Sequence, residues 1–117
     1  MKAIVAYGAK DYRFCEIDTP KAGKGEILIK IEAAGICASD RAVYMGGDPW
    51  GGIDSPRTPG HEFVGIVVEV GPGAEEKGFV PGDRVTAECI MPCGKCYYCK
   101  RGLYHLCDDE NGFLEGG

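Results

Sequence analysis

The stretch "GEILIKIEAAGIC", residues 25 to 37, decides the fold class because apolar and charged side chains share it in a strand-like pattern. Its apolar residues are flanked at a spacing of two by Glu26, Lys30 and Glu32. A period of two is typical of a β-strand with one face toward a core. The stretch therefore predicts a strand that ends close to Cys37.

Further strands are predicted on both sides of this one. "KAIVAYG" (2–8) and "YRFCEI" (12–17) form a predicted pair joined across "GAKD". "HEFVGIVVEVG" (61–71) is largely apolar, so we expect a strand buried on both faces. "DRVTAECI" (83–90) is expected to be the last strand. The turn-rich segment between these two strands lacks the glycine spacing of a dinucleotide-binding loop, and it predicts a hairpin turn.

One short helix is predicted at "ASDRAVYMGG", residues 38 to 47. Ser39 or Asp40 is the candidate N-cap, and Gly46 is the candidate stop. The Gly- and Pro-rich residues 46 to 60 that follow predict an irregular surface loop. The chain as a whole has 117 residues with 19 glycines and 7 prolines, which favours short strands joined by turns. We therefore expect a mostly β fold with one or two short helices.

Charge and apolar patterning exclude several classes of function. The formal net charge is −5 and no basic run occurs, so neither nucleic acid nor an anionic membrane is an expected partner. No apolar stretch approaches membrane-spanning length, and the amino-terminal apolar run is too short for a signal peptide. These features predict a cytoplasmic protein, where cysteines stay reduced. The odd number of cysteines, 7, also argues against a complete disulfide framework.

Four of the cysteines lie close together in "PCGKCYYCKRGLYHLC", residues 92 to 107. The ligands would be Cys93, Cys96, Cys99 and Cys107, and Gly94 and Gly102 would allow the tight turns that bring backbone N–H groups toward the sulfurs. Their spacing suits a closed tetrahedral zinc site, which stabilises a fold and leaves no open position for catalysis. An iron–sulfur cluster and a redox-active cysteine pair are the alternatives. His105 lies inside the segment, and we interpret it as a surface residue.

Cys37, His61 and Glu62 form a second group of zinc-capable side chains, each at the end of a predicted strand. Zinc bound by three protein groups keeps an open coordination position, which is the catalytic arrangement. Spacing alone leaves other interpretations open. Cys37 would also fit as a small buried apolar residue, and His61 as a partly buried histidine with its hydrogen bonds satisfied.

Four motifs occur in one order: "GICASD" (35–40), "PGHEFVGIVVEVG" (59–71), "PGDRV" (81–85) and "CGKCYYCKRGLYHLC" (93–107). With them the chain resembles the N-terminal, GroES-like catalytic domain of the zinc-dependent medium-chain alcohol and polyol dehydrogenases. Within that family it is most similar to the sorbitol and threonine dehydrogenase branch. The resemblance covers essentially all 117 residues. It implies a partly open β-barrel with short helices and a protruding zinc lobe, which we place at residues 89–112.

The resemblance also implies the roles of individual residues. Cys37 and His61 would be ligands of a catalytic zinc, with Glu62 as a ligand or an exchangeable neighbour. Ser39 would hydrogen-bond the substrate alcohol, and Asp40 would orient the zinc-bound histidine. Some members carry a histidine two residues after the aspartate, where this chain has Ala42. The four clustered cysteines would hold a structural zinc, in agreement with their spacing.

The function implied is oxidation of a small alcohol or polyol with hydride transfer to NAD or NADP. The family's Rossmann domain, which binds most of that cofactor, is not found in these 117 residues. We therefore expect the chain to be the N-terminal part of a longer dehydrogenase and to be inactive alone. The family also implies a homodimer or homotetramer. A non-catalytic GroES-like zinc-binding domain is the alternative, and it would need only the four-cysteine site.

Overall fold

The computed structural model describes residues 1–47 and 56–108, and it divides the chain into two compact units, Met1–Ala87 and Glu88–Gly117. Within residues 1–47 and 56–87, the first unit contains five strands and one α-helix. The strands are β1 (Lys2–Gly8), β2 (Asp11–Glu16), β3 (Ile27–Ala34), β4 (Phe63–Val70) and β5 (Arg84–Thr86), and the helix is α1 (Ala38–Tyr44). Short 3-10 helices lie at Glu75–Lys77, Cys99–Arg101 and Tyr104–Leu106. The predicted mostly β fold is confirmed.

The strands form two sheets with antiparallel pairing throughout. β1 pairs with β2, and β4 lies between β3 and β5. The segment at Arg57 adds a short bridge to β1, because Ala6 and Arg57 exchange both backbone hydrogen bonds (2.8 and 3.1 Å). Among the described residues the sheets are not closed into one continuous hydrogen-bonded cylinder, as expected of a partly open barrel.

The core of the first unit is small. Its buried apolar side chains are Val5, Ala6, Val67 and Ala74. Within β4, Gly65 and Val67 share the buried face, whereas Val68 on the other face is 46% exposed. The expectation that both faces of β4 are buried is therefore wrong. Its neighbours are antiparallel, and such sheets commonly keep one face open.

β3 departs from simple alternation as well. Its pairing with β4 shifts register between Leu28 and Ile29 and again between Ile31 and Ala33. Each irregularity adds a residue to one strand and breaks the period of two. Ile31 is 49% exposed, and residues 30–34 are exposed on both faces of the strand, although the sequence pattern places Ile31 on the apolar face.

The segments around β5 and the two predicted loops can be compared with the structure where it describes them. The predicted hairpin turn is confirmed, since β4 and β5 are adjacent and antiparallel with a 3-10 helix between them. β5 covers only Arg84–Thr86, so the prediction of a strand over 83–90 is too long. Residues 48–55 of the predicted surface loop, and residues 109–112 of the predicted zinc lobe, lie outside the described part of the chain.

Gly65 is expected to tolerate no side chain. A Cβ atom there would meet the carbonyl oxygen of Lys30 and lie 2.7 Å from Cγ2 of Ile29. Because the obstacle includes backbone, Gly65→Ala should lower the free energy of unfolding by about 1–3 kcal/mol. Urea denaturation measures this, with Gly8→Ala as control, since a Cβ at Gly8 meets nothing within 4 Å. Equal midpoints for Gly65→Ala and wild type would contradict the packing described here.

Candidate metal centres

The four clustered cysteines are held by the turns of the second unit. Gly94 and Gly102 adopt positive φ angles of 71° and 74°, which a residue with a side chain rarely takes. The predicted tight turns are therefore confirmed at both glycines. Gly102 ends the 3-10 helix Cys99–Arg101, which contains the third cysteine, and Cys107 follows the helix Tyr104–Leu106.

The four sulfurs converge, and three of them accept hydrogen bonds from the backbone. The N–H groups of Cys96 and Cys99 each donate to the sulfur three residues earlier, at 3.3 Å. The N–H of Cys93 donates to Sγ of Cys107 at 3.4 Å. Such donors stabilise a sulfur that carries negative charge, so the backbone is arranged for thiolates rather than for neutral thiols.

The sulfur geometry fits a tetrahedral ion. All four Sγ atoms lie within 4.8 Å of one another, and those of Cys93 and Cys99 are 4.0 Å apart. A tetrahedral zinc with Zn–S bonds near 2.3 Å requires sulfurs about 3.8 Å apart. Burial, reinforced by hydrogen bonds with the neighbouring cysteines, raises the pKa of the Cys99 thiol to about 12. A cation among the sulfurs reverses this effect, because it favours the thiolate.

The second group is assembled where β3 and β4 end side by side. Ala34 of β3 pairs with Phe63 of β4, and one step further the N–H of Gly35 donates to the carbonyl oxygen of Glu62 at 2.7 Å. Cys37 lies two residues beyond Gly35, and His61 directly precedes Glu62. Antiparallel pairing therefore brings together side chains that are 24 residues apart in sequence.

Cys37, His61 and Glu62 each offer one ligand atom within 4.8 Å of the other two. Cys37 and His61 are half-buried, and Glu62 is exposed. One thiolate, one imidazole and one carboxylate are a suitable donor set for zinc, and three protein ligands leave a position open. The structure thus brings together the three side chains singled out from the sequence. Their role as ligands stays a prediction.

Asp40 connects two members of this group. Its Oδ2 accepts the backbone N–H of Cys37 at 3.0 Å, and its Oδ1 lies 3.8 Å from Nδ1 of His61. Cys37 itself occupies the N-cap position of α1 and Asp40 the third helical position. The prediction of Ser39 or Asp40 as N-cap is therefore wrong. Asp40 reaches back to the cap from inside the first turn, as the acidic partner of a capping box does.

Ser39 lies in the first turn of α1 and is half-buried. Among residues 1–47 and 56–108 its hydroxyl has no hydrogen-bond partner. It follows Cys37 by two residues, so the helix start places it near the second group. Its predicted contact with a substrate alcohol remains a prediction.

A cavity of about 480 Å³ lies beside the second group in the first unit. Gly35, Asp40 and Gly60 line it on the side of the second group, and Tyr12 and Tyr44 line it elsewhere. The two tyrosine rings meet edge to face at 5.1 Å. Burial, with the charge of Asp40, raises the pKa of the Tyr12 hydroxyl above its usual value. The cavity is mainly apolar apart from Asp40 and Arg41.

The comparison with known families decides the class. The alcohol dehydrogenase GroES-like domain family matches residues 23–117. The chain belongs to this family. The match includes all seven candidate ligands, so both candidate metal centres lie within the matched residues.

Two characterised relatives show how similar the domain is to known enzymes. It is 47% identical over 119 residues to an erythritol/L-threitol dehydrogenase of Mycolicibacterium smegmatis, covering 95% of this chain and 33% of the relative. It is 46% identical over 115 residues to an L-threonine 3-dehydrogenase of Pyrococcus abyssi, covering 97% and 31%. The domain therefore spans about a third of the length of these relatives.

Solved structures agree with the fold. The zinc-dependent alcohol dehydrogenase 2 from Streptococcus pneumonia, in its apo form, superposes with a TM-score of 0.79 at 38% identity, covering 97% of this chain and 32% of that one. Acetophenone reductase from Geotrichum candidum, in complex with NAD, gives 0.79 at 36% identity, covering 99% and 35%. These likenesses confirm the resemblance seen in the sequence motifs. In the described part of the GroES-like domain, no helix is long and apolar enough to cross a membrane.

Gly35 is a residue that the sequence did not single out. It stands between the end of β3 and Cys37, where its N–H meets the carbonyl oxygen of Glu62. Its position in "GIC", two residues before the candidate ligand Cys37, was the available signal, but glycines are frequent in this chain. Only the cross-strand pairing shows that Gly35 faces Glu62.

Proposed function

We propose that this chain is the catalytic-domain portion of a zinc-dependent dehydrogenase that oxidises an alcohol or polyol and transfers hydride to NAD or NADP. The observation that carries the proposal is the second group, in which Cys37, His61 and Glu62 converge within 4.8 Å. Family membership and the named dehydrogenase relatives support it. A domain with a purely structural metal would have no use for this group.

Each centre has residues suited to one zinc ion. The four cysteines would hold a structural ion, since their set is closed and fully thiolate. Cys37, His61 and Glu62 would hold the catalytic ion. When bound there, zinc supplies a Lewis acid that lowers the pKa of a bound hydroxyl group, as is established for zinc enzymes in general.

The residues of the domain itself provide orientation and proton transfer. Asp40 fixes the backbone of Cys37 by a 3.0 Å hydrogen bond and faces Nδ1 of His61, so one carboxylate sets the direction of two ligands. The hydroxyl of Ser39 would accept the proton that the substrate alcohol loses. Ala42 cannot carry a proton further, so Ser39 would pass its own proton to water as it accepts the one from the substrate.

We further propose that most of the nicotinamide cofactor is bound outside this domain, which spans about a third of its relatives. The substrate would be a small molecule with a secondary or primary hydroxyl group. Relatives named for erythritol and for threonine support this class without selecting one compound. A dimeric or tetrameric state and a cytoplasmic location stay predictions from the family resemblance and from the cysteine content.

The alternative of a non-catalytic GroES-like zinc-binding domain makes a different prediction about metal content. It requires one zinc ion per chain at the four-cysteine site, and it leaves Cys37 and His61 without a function in metal binding. The dehydrogenase proposal requires two. Metal counting therefore separates the two functions before any substrate is known.

The activity test uses the protein that carries this domain together with the remainder of its chain. We expect reduction of NAD or NADP with erythritol, butane-2,3-diol or L-threonine as trial substrates. Ser39→Ala should lower kcat about 10²–10⁴-fold, because it removes a proton-transfer group, and should leave zinc content unchanged. Ser39→Thr keeps the hydroxyl and is the matched control. Wild-type kcat in Ser39→Ala would contradict the role given to this residue.

A further inference from the structure

We propose that Gly35 is a positioning residue whose missing side chain leaves the space in which the Glu62 carboxylate reaches the second metal centre. The inference rests on the proposed function, because it assigns Glu62 a place in that centre. It adds a requirement that the ligand residues alone do not contain. The residue opposite the carboxylate must be glycine.

The backbone register places Gly35 opposite Glu62. Beyond the last pair of the β3–β4 ladder, Ala34 with Phe63, the backbone hydrogen bond from Gly35 to Glu62 continues the pairing by one position at 2.7 Å. Directly opposed residues of antiparallel strands have Cβ atoms about 4.5–5.5 Å apart, so their side chains compete for one space. Because Gly35 has no side chain, only the side chain of Glu62 occupies this space.

A side chain at position 35 would collide with the carboxylate of Glu62. A Cβ atom built on Gly35 would lie 2.6 Å from Oε2 of Glu62, 3.3 Å from its Cβ and 3.7 Å from its Cδ. The first of these separations is shorter than atoms tolerate, so the carboxylate would have to move. All three contacts are with Glu62, and none is with the backbone.

Alanine at position 35 should not prevent the domain from folding. Gly35 is not among the glycines with positive φ, so alanine fits its backbone conformation. The closest contact is with the end of an exposed, flexible side chain, which can turn away, and the 3.3 Å separation from Cβ of Glu62 requires only a small shift of the backbone. Gly35→Ala should therefore fold, while the carboxylate leaves the position next to Cys37 and His61. This separates Gly35 from Gly65, where the obstacle is backbone.

The experiment measures metal affinity rather than activity. The protein that carries this domain together with the remainder of its chain is loaded with zinc at the four-cysteine site. It is then titrated with Co²⁺, whose absorption bands on binding the Cys37 thiolate report on the second centre. Zinc binds more tightly than cobalt, so the first site keeps its metal. The chains compared are wild type, Gly35→Ala, Glu62→Ala, the double variant and Cys37→Ser, with Gly8→Ala as a matched control at a glycine that has open space. Circular dichroism and melting temperature check folding.

We expect Gly35→Ala and Glu62→Ala each to weaken Co²⁺ binding about 10–100-fold, the range typical of losing a supporting group around a metal. The double variant should bind as Glu62→Ala does, because the space matters only while the carboxylate is there. Gly8→Ala should bind as wild type does.

Three results overturn the inference alone: wild-type affinity in Gly35→Ala, a further loss in the double variant beyond Glu62→Ala, or a Gly35→Ala chain that stays unfolded when Glu62→Ala is added. In each of these, binding that still depends on Cys37 leaves the proposed function standing. Co²⁺ binding that is unaffected by Cys37→Ser and Glu62→Ala, or no binding in wild type, overturns the second metal centre and the inference with it.

Discussion

Replacement of Cys96 by serine is expected to remove one zinc ion per chain and to unfold the cysteine-rich unit. In its described part this unit has no buried apolar side chain, and Tyr97 is 61% exposed, so little besides the metal holds it together. Structural zinc contributes about 10–16 kcal/mol of apparent binding free energy in small zinc domains. A core truncation costs about 2–5 kcal/mol by comparison, so this variant should show the largest stability loss in the chain.

Elemental analysis and hydrogen exchange test this expectation. Zinc per chain should fall by one, and the amides of Cys96, Cys99 and Gly102 should lose their protection. Cys89→Ser is the matched control, because Cys89 is also half-buried in the same unit but is not one of the converging sulfurs. Unchanged zinc content in Cys96→Ser would show that the four-cysteine site does not hold the ion.

Replacement of Cys37 by serine is expected to remove the second zinc ion and to abolish dehydrogenase activity, while the cysteine-rich unit keeps its metal. The loss of the ion removes several kcal/mol of stabilisation of developing charge. At 1.36 kcal/mol for each factor of ten, kcat/KM should fall by about 1000-fold or more. The fold should survive, because Cys37 is only half-buried and its backbone N–H still donates to Asp40.

Zinc counting and kinetics check this prediction. Both use the same preparations of the protein that carries this domain together with the remainder of its chain. Cys15→Ser is the matched control, since Cys15 is a half-buried cysteine of β2 outside both metal groups. Two zinc ions are expected in wild type and in Cys15→Ser, and one in Cys37→Ser. A wild-type chain with a single ion that is lost only in Cys96→Ser would contradict the catalytic centre and favour the non-catalytic alternative.

Much of the fold follows from local patterns. β1 has the predicted bounds, the pairing of β1 with β2 follows from the short turn between them, and Gly46 adopts a φ of 87° directly after the helix cap Met45. The errors have physical causes as well. Residues 30–34 at the end of β3, Ile31 among them, are exposed on both faces, the antiparallel neighbours leave Val68 open, and β5 pairs with β4 through three residues.

The start of α1 also depends partly on local sequence and partly on tertiary structure. The sequence indicates a helix near "ASDRAV" and offers Ser39 and Asp40 as candidate caps. The structure selects Cys37, with Asp40 accepting its N–H. The choice depends on where β3 ends, since the chain has to turn from Gly35 into α1 within two residues.

By itself the sequence determined the features that are local or that repeat a familiar spacing: the strand pattern, the tight turns at Gly94 and Gly102, and the four-cysteine set. The tertiary structure alone decided what depends on the register between β3 and β4. It placed Cys37 beside His61, turned Asp40 toward both, and set Gly35 opposite Glu62. The physical reason is that a pairing register is a relation between distant segments, and a shift of one residue would move Glu62 away from Gly35 and carry His61 away from Cys37.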